Sequence, residues 1–329
     1  MSVKSVSLAG LLVLGVFTAN AQTYWSTNPN LDCGKYGGAN GAPMQLPPGL
    51  GAGGYACFAT GIIPWYASGG GWASTILVSA PPSAPVGILL SFSDPDGSEV
   101  TLDFLYHGDS TVHADSGALK AIYANQPLQV SILGLHSQAP SYGSMAGGSV
   151  WFAALCPDPV TCSLVHAQLV YSALPSHPWS LSAPVVWDRL TCYGYSSVVI
   201  DDGSTNTASF VITNDDYDYQ LPRAYTIKVY DSTGSLYSSA TTKQIPLYGS
   251  YADLVRNVVP KLPSGPFKLQ VTGSSWMAFE ALQFQGPSAT TLVAACEIPW
   301  SANTPNSMPG GSRHTSPEVW QRLLRYAAQ

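Results

Sequence analysis

Ser68-Gly69-Gly70-Gly71-Trp72-Ala73-Ser74-Thr75-Ile76-Leu77-Val78 decides the fold class. Gly69, Gly70 and Gly71 lack the Cβ that restricts other residues, so the backbone there turns sharply. Trp72 follows as an aromatic anchor at the end of a core. Thr75 to Val78 is β-branched and apolar, the composition of a buried, pleated strand. The stretch reads as a hinge, an anchor and an early sandwich strand. Toward the C-terminus, Ala80-Pro81-Pro82-Ser83-Ala84-Pro85 is a turn cluster and Val86 to Phe92 a second strand. Asp94-Pro95-Asp96-Gly97 then closes a tight turn.

The same grammar continues. Short apolar or alternating runs recur at Glu99 to Leu105, Ala118 to Tyr123, Leu128 to Leu135, Ser149 to Leu155 and Ser163 to Tyr171. Each is bounded by Gly, Pro, Asp or Ser, which argues for an all-β sandwich. The proline-rich segment 175–184 predicts a linker, and a second set of strands comes after it. Phe267 to Thr272 and Met277 to Gln285 are two of these. The expected architecture is all-β: two consecutive antiparallel β-sandwich (Ig-like) domains, residues 58–174 and 185–297. A Gly/Pro-rich arm over 22–57 precedes them. Tyr251 to Val259 is the one internal helix candidate, with Leu254, Val255 and Val258 on one face and Pro260 as the stop. Residues 298–329 read as a loose linker and a short C-terminal helix. Ser316 caps it, and Val319, Trp320, Leu323, Leu324 and Ala327 form its apolar stripe.

An internal repeat is visible. Ser74 to Gly97 has strand, polar loop, strand and Phe-Ser-Asp-Pro-Asp-Gly. Ala208 to Gly234 has the same order and ends in Val-Tyr-Asp-Ser-Thr-Gly. Val150 to Ala154 and His166 to Tyr171 are echoed by Trp276 to Ala278 and Phe279 to Phe284. A duplicated sandwich accounts for both echoes.

Met1 to Ala21 carries a secretory signature: Lys4, a short apolar run from Leu8 to Phe17, and Ala19-Asn20-Ala21 before the expected cleavage. The run is too short to span a bilayer, which needs ~20 apolar residues, and no later segment qualifies as a transmembrane helix. The predicted location is therefore outside the cytoplasm: extracellular, cell-surface or periplasmic. Six cysteines lie beyond the signal, as an oxidising compartment allows. Cys156–Cys162, Cys33–Cys57 and Cys192–Cys296 are the attractive disulfides. A metal site is the rival use of these thiols, but no Cys-x-x-Cys occurs. With a net charge of −6 and only 10% charged residues, the chain has no basic stripe, which argues against a nucleic-acid partner.

Pro64-Trp65-Tyr66-Ala67-Ser68-Gly69-Gly70-Gly71-Trp72-Ala73-Ser74-Thr75 resembles the opening of secreted tandem β-sandwich proteins common in Acidobacteria and their relatives. These carry a proline–aromatic pair, then Gly-Gly-Gly-Trp-x-Thr, then paired sandwich strands. The resemblance covers roughly Gly61 to Cys296 and implies the tandem fold, with no established activity to transfer. Here Ser74 separates Ala73 from Thr75, a departure from the pattern.

Candidate chemistry is sparse. His107-Gly108-Asp109-Ser110 contains Gly-Asp-Ser, the opening of a serine-esterase motif, but that motif belongs to an α/β setting and reads here as a hairpin turn. His107 and His113 can approach Asp109 and Asp115, with no nucleophile or electrophile site beside them. Calcium needs several hard oxygens from one loop, so Asp94 with Asp96, and Asp215 with Asp216 and Asp218, are the metal candidates. Turn chemistry is the plain alternative for the same residues. Apart from a structural calcium, no cofactor is implied. Tyr193, Tyr195, Tyr217, Tyr219, Tyr248 and Tyr251 are candidates for a sugar-binding platform. The expected function is a secreted, non-enzymatic, adhesive, cell-surface or structural protein whose partner is a glycan or a cell-surface protein. A carbohydrate-binding accessory module is second and an extracellular hydrolase third.

Overall fold

The computed structural model describes residues 57–79, 86–122, 126–136, 146–156, 161, 164–173, 180–184, 186–187, 192–215, 221–285, 288–292 and 294–296, with three strand pieces between 32 and 43. The secretory signal, Asp216, Asp218, Tyr217, Tyr219, Cys162 and the Ser316-capped helix lie outside the described residues.

The strands of the first half are β1 (Asp32–Cys33), β2 (Gly37–Gly38), β3 (Ala42–Pro43), β4 (Cys57–Ser68), β5 (Trp72–Ser79), β6 (Val86–Ser93) and β7 (Leu102–Tyr106). They continue as β8 (His113–Asp115), β9 (Gly117–Ile122), β10 (Leu128–Leu135), β11 (Ala146–Cys156), β12 (His166–Ala173), β13 (Ser180–Pro184) and β14 (Val186–Trp187). The second half adds β15 (Cys192–Val199), β16 (Asn206–Asn214), β17 (Thr226–Tyr230), β18 (Leu236–Thr241) and β19 (Ser250–Leu254). A four-residue helix α1 (Val255–Val258) comes next, then β20 (Phe267–Gln285), β21 (Ser288–Leu292) and β22 (Ala295–Cys296).

Two six-stranded antiparallel sheets form the first sandwich. One runs β1-β4-β11-β6-β9, with β14 also on β4; the other runs β13-β12-β5-β10-β7-β8. The period-2 pattern builds the core directly. Leu102, Phe104 and Tyr106 of β7 point inward with Leu128, Val130 and Ile132 of β10, while the residues between them are less buried. β6 is buried along its whole length.

The glycine stretch turns the chain from one sheet into the other. Gly69 and Trp72 exchange both backbone hydrogen bonds at 3.0 Å, enclosing Gly70 and Gly71 at φ 59° and 91°. A two-residue hairpin with both central φ positive is the glycine-demanding kind. Beyond its tip β4 and β5 part into separate sheets. Ser74 bridges the opening: its buried hydroxyl accepts from Ala67 N (2.9 Å) and donates to Ala67 O (2.7 Å).

The second half is one eight-stranded antiparallel sheet folded on itself. β20 makes the fold. Residues 267–272 pair with β15 and β17, and residues 277–285 pair with β16 and β21. The two runs predicted as separate strands are thus one 19-residue strand. Between them Gly273 lies so close to Tyr225 that a Cβ would sit 2.4 Å from the ring. Phe210, Ile212, Tyr225, Ile227, Val229, Leu269, Val271 and Phe279 belong to the enclosed core.

The halves share a strand order. β1-β4-β11-β6-β9 is matched by β22-β15-β20-β17-β18, and β13-β12-β5-β10 by β21-β20-β16-β19. The echoing turns are alike in detail. Asp94 Oδ1 accepts from the amides of Asp96 and Ser98, and Asp231 Oδ1 from those of Thr233 and Ser235. In both turns the glycine amide donates to the aspartate carbonyl at 3.0 Å.

Two expectations change. Ser180–Pro184, read as linker, pairs with β12 and extends the first sandwich. The helix expected over Tyr251 to Val259 shrinks to α1, because Ser250–Leu254 pairs with β16; tertiary pairing outweighs local helical spacing. Among the cysteines, Cys57 stands opposite Cys33 on one side and Cys156 on the other. Cys156 and Cys192 are each disulfide-bonded, and the side chains of the four remaining cysteines lie outside the described set.

Candidate functional site

The carboxylates of Asp94 and Asp202 are occupied by the amides of their own turns. Asp94 serves its turn as described, and Asp96 is exposed. Asp202 Oδ1 accepts from the amides of Ser204, Thr205 and Asn206, and these bonds hold its carboxyl well below the usual carboxylate range. Asp215 is buried, and its amide donates to Trp276 O at 3.2 Å. Among the described residues, no three His, Cys, Asp or Glu side chains converge on a metal position.

The histidine turn is no catalytic array. His113 stacks on Phe104 (centroids 5.6 Å, 19°) with Nε2 3.6 Å from Asp109. His136 pairs with Asp103 at 2.7 Å, away from that turn. Ser110 is exposed. Among the described residues, Tyr193, Tyr195, Tyr248 and Tyr251 do not share one surface either. Tyr195 and Tyr248 are buried, Tyr193 packs on Trp276, and Tyr251 donates to Asp253.

Two features were not foreseen. The first is the junction between the sandwiches. Pro64 O accepts from the hydroxyls of Thr213 (2.9 Å) and Ser250 (3.1 Å). Ser149 Oγ donates to Tyr248 O (2.8 Å), and Ser250 N donates to Pro95 O (2.9 Å). Trp72 lies edge-on to both Tyr171 and Phe284, and Leu282 enters the first core. Within this junction Glu280 is 5% exposed. Burial pushes its carboxyl up to about 8. The one signal in the sequence is a single acid in the otherwise apolar run Met277 to Leu282.

Gly97 ties its turn to this junction. Its φ is +80°, and a Cβ would sit 2.1 Å from Leu247 O. Gly234, its counterpart at φ +82°, has nothing within 4 Å. Gly234→Ala should therefore cost only the strain of a left-handed residue, about 1–3 kcal/mol. Gly97→Ala should cost clearly more. Denaturant midpoints compare the two, and equal losses would mean that the Asp94 turn does not bear on the second sandwich.

The second unforeseen feature is a row across the outer face of the second sandwich. Leu236, Tyr230, Lys268 and Val198 are successive cross-strand partners on β18, β17, β20 and β15. Val198 is 65% and Leu236 56% exposed, and Tyr237 beside them is also exposed. The Lys268 ammonium lies 5.6 Å from the Tyr230 ring centroid, and Tyr230 Oη donates to Gln270 at 3.1 Å.

No protein-family model matches the chain, and no curated protein does. Among solved structures it is similar to a biofilm-associated protein B domain, at 7% identity and a TM-score of 0.19. That alignment covers 78% of this chain and 85% of the other. It is also similar to a partial N-terminal region of an enterococcal surface protein, at 7% identity and a TM-score of 0.19, over 80% and 99% of the two chains. Neither superposes closely enough to carry a conclusion about this chain.

Proposed function

We propose that this is a secreted, non-enzymatic β-sandwich protein with an adhesive, surface-associated role, and that the outer face of β18-β17-β20-β15 makes the contact. The observation that supports this reading is the row Leu236, Tyr230, Lys268 and Val198, exposed at both ends and half-buried at Tyr230 and Lys268. Aliphatic and aromatic side chains lie in that row with Lys268 among them. Exposed apolar groups arranged together mark interaction surfaces more often than scattered ones do. The polar groups that could do chemistry are largely engaged in turns and in the junction. The partner is a cell-surface protein or glycan.

Retention of whole bacterial cells, and of chitin and cellulose particles, by the bead-immobilised chain tests the reading. Val198→Glu combined with Leu236→Glu should cut retention about tenfold or more, the size of a hot-spot loss. Thermal stability should stay unchanged. Equal retention by the double variant would remove this face from the proposal. Loss of polysaccharide binding alone would favour an accessory carbohydrate module. Turnover of an ester or glycoside would overturn the non-enzymatic reading.

A further inference from the structure

Glu280 is a buried ionisable group that the adhesive reading leaves unused. It sits on the face of β20 turned toward the first sandwich, with Leu282 and Phe284 on the same side. Its neighbours along the strand, Phe279 and Ala281, point into the second core. Oε2 is 3.5 Å from Tyr171 Oη, and Oε1 has no hydrogen-bond partner among the described residues.

The phenol has one proton, and its geometry says where that proton goes. Tyr171 Oη is 2.6 Å from Trp65 O, a carbonyl that can only accept. With its hydrogen on Trp65, Tyr171 offers Glu280 lone pairs alone. A carboxylate facing it would set acceptor against acceptor. A carboxylic acid can donate to the phenol oxygen and complete a chain from Glu280 through Tyr171 to Trp65.

The strands packed around Glu280 supply no counter-charge. β4, β5, β16 and β21 contain no Lys, Arg, His, Asp or Glu. Tyr66 of β4 faces the first core instead. On β12 the titratable groups are Tyr171 and His166, which is exposed and five residues away. On β19, Asp253 and Tyr251 stand opposite Phe210 and Ile212 on the other face of the sheet. Asp215, just beyond β16, is an acid and would add repulsion.

We propose that Glu280 is an acid-held latch: its protonated carboxyl joins the second sandwich to Tyr171 of the first, and loss of that proton loosens the junction. The folded chain keeps this proton up to about pH 8, whereas a solvated carboxyl releases it near 4.5. Between those values the closed form holds one more proton than the open or unfolded form. Closure therefore weakens as pH rises through that window, by up to about tenfold per pH unit, and levels off above it.

Two measurements test the latch. The first tracks hydrogen exchange, corrected for intrinsic rates, across residues 62–72 and 278–285 from pH 5 to 9.5. The native chain should lose protection there as pH rises. Glu280→Gln, whose amide also donates but carries no charge, should hold its protection nearly flat. Parallel pH profiles in the two proteins would overturn the proposal. The second uses the native chain alone and stands even if the variant fails to fold. Its infrared spectrum at pH 6.5 should contain the carbonyl stretch of a protonated carboxylic acid, which disappears by pH 9.5. A spectrum holding only ionised carboxylates at pH 6.5 would also overturn it.

Discussion

Arg256→Ala should lower stability by about 3 kcal/mol, the lower end for stripping one partner from a buried ion pair, because the guanidinium is itself 30% exposed. Arg256 projects from α1 and pairs with Asp201, whose side chain is 1% exposed. Its guanidinium also donates to Asn206 O and Thr207 Oγ1. Asp201 accepts besides from the amides of Gly203 and Ala208. Without the guanidinium, a carboxylate remains buried with two amides for company. Denaturant unfolding of the second sandwich gives the number. A loss below about 1 kcal/mol would class the pair with solvated surface bridges. Asp201→Asn on the Arg256→Ala background should recover part of the loss, since the stranded charge is gone.

Trp72→Ala should cost about 3 kcal/mol, the lower end for removing a large aromatic, because the ring is only partly buried. Trp72 was expected over the end of the first core. It does pack against that core, 6.3 Å from Tyr171, and it also reaches across the junction to Phe284 at 6.2 Å, nearly perpendicular to each ring. The loss should therefore be felt in both halves. A double-mutant cycle with Phe284→Ala reads the part that crosses the junction, and edge-to-face pairs couple by about 0.5–1.5 kcal/mol. Zero coupling would confine Trp72 to the first sandwich.

These positions mark what local sequence can and cannot carry. Alternation at Leu102, Phe104 and Tyr106 specifies a half-buried strand wherever it docks, and glycines 69–71 specify a tight hairpin. Both readings rest on neighbours in the chain. Pairing partners are another matter. Gly273-Ser274-Ser275 has turn composition, yet it lies inside β20, because Gly273 gives Tyr225 room as the strand bends. Leu254, Val255 and Val258 have helical spacing, yet pairing with β16 draws Leu254 into a strand. The aspartates were legible as loop formers, but the direction in which their oxygens point was not. Glu280 stood out only as an acid among apolar residues. That it meets Tyr171 across 109 positions is a tertiary fact.

The single bent strand also fixes an order of assembly. β15, β16 and β17 all find their central partner in β20, near the end of the described chain. Until Phe267–Gln285 is available, the second half can form only the β16–β19 and β17–β18 ladders. Isolated two-stranded ladders are marginal in water. The first sandwich closes on its own β11 and β12 more than a hundred residues earlier in the chain. A chain emerging N-terminus first would thus complete one sandwich while the other waits open, with Leu282 and Phe284 the last pieces laid against the finished core. In a chain made in that order, the second sandwich should therefore be the last unit to close.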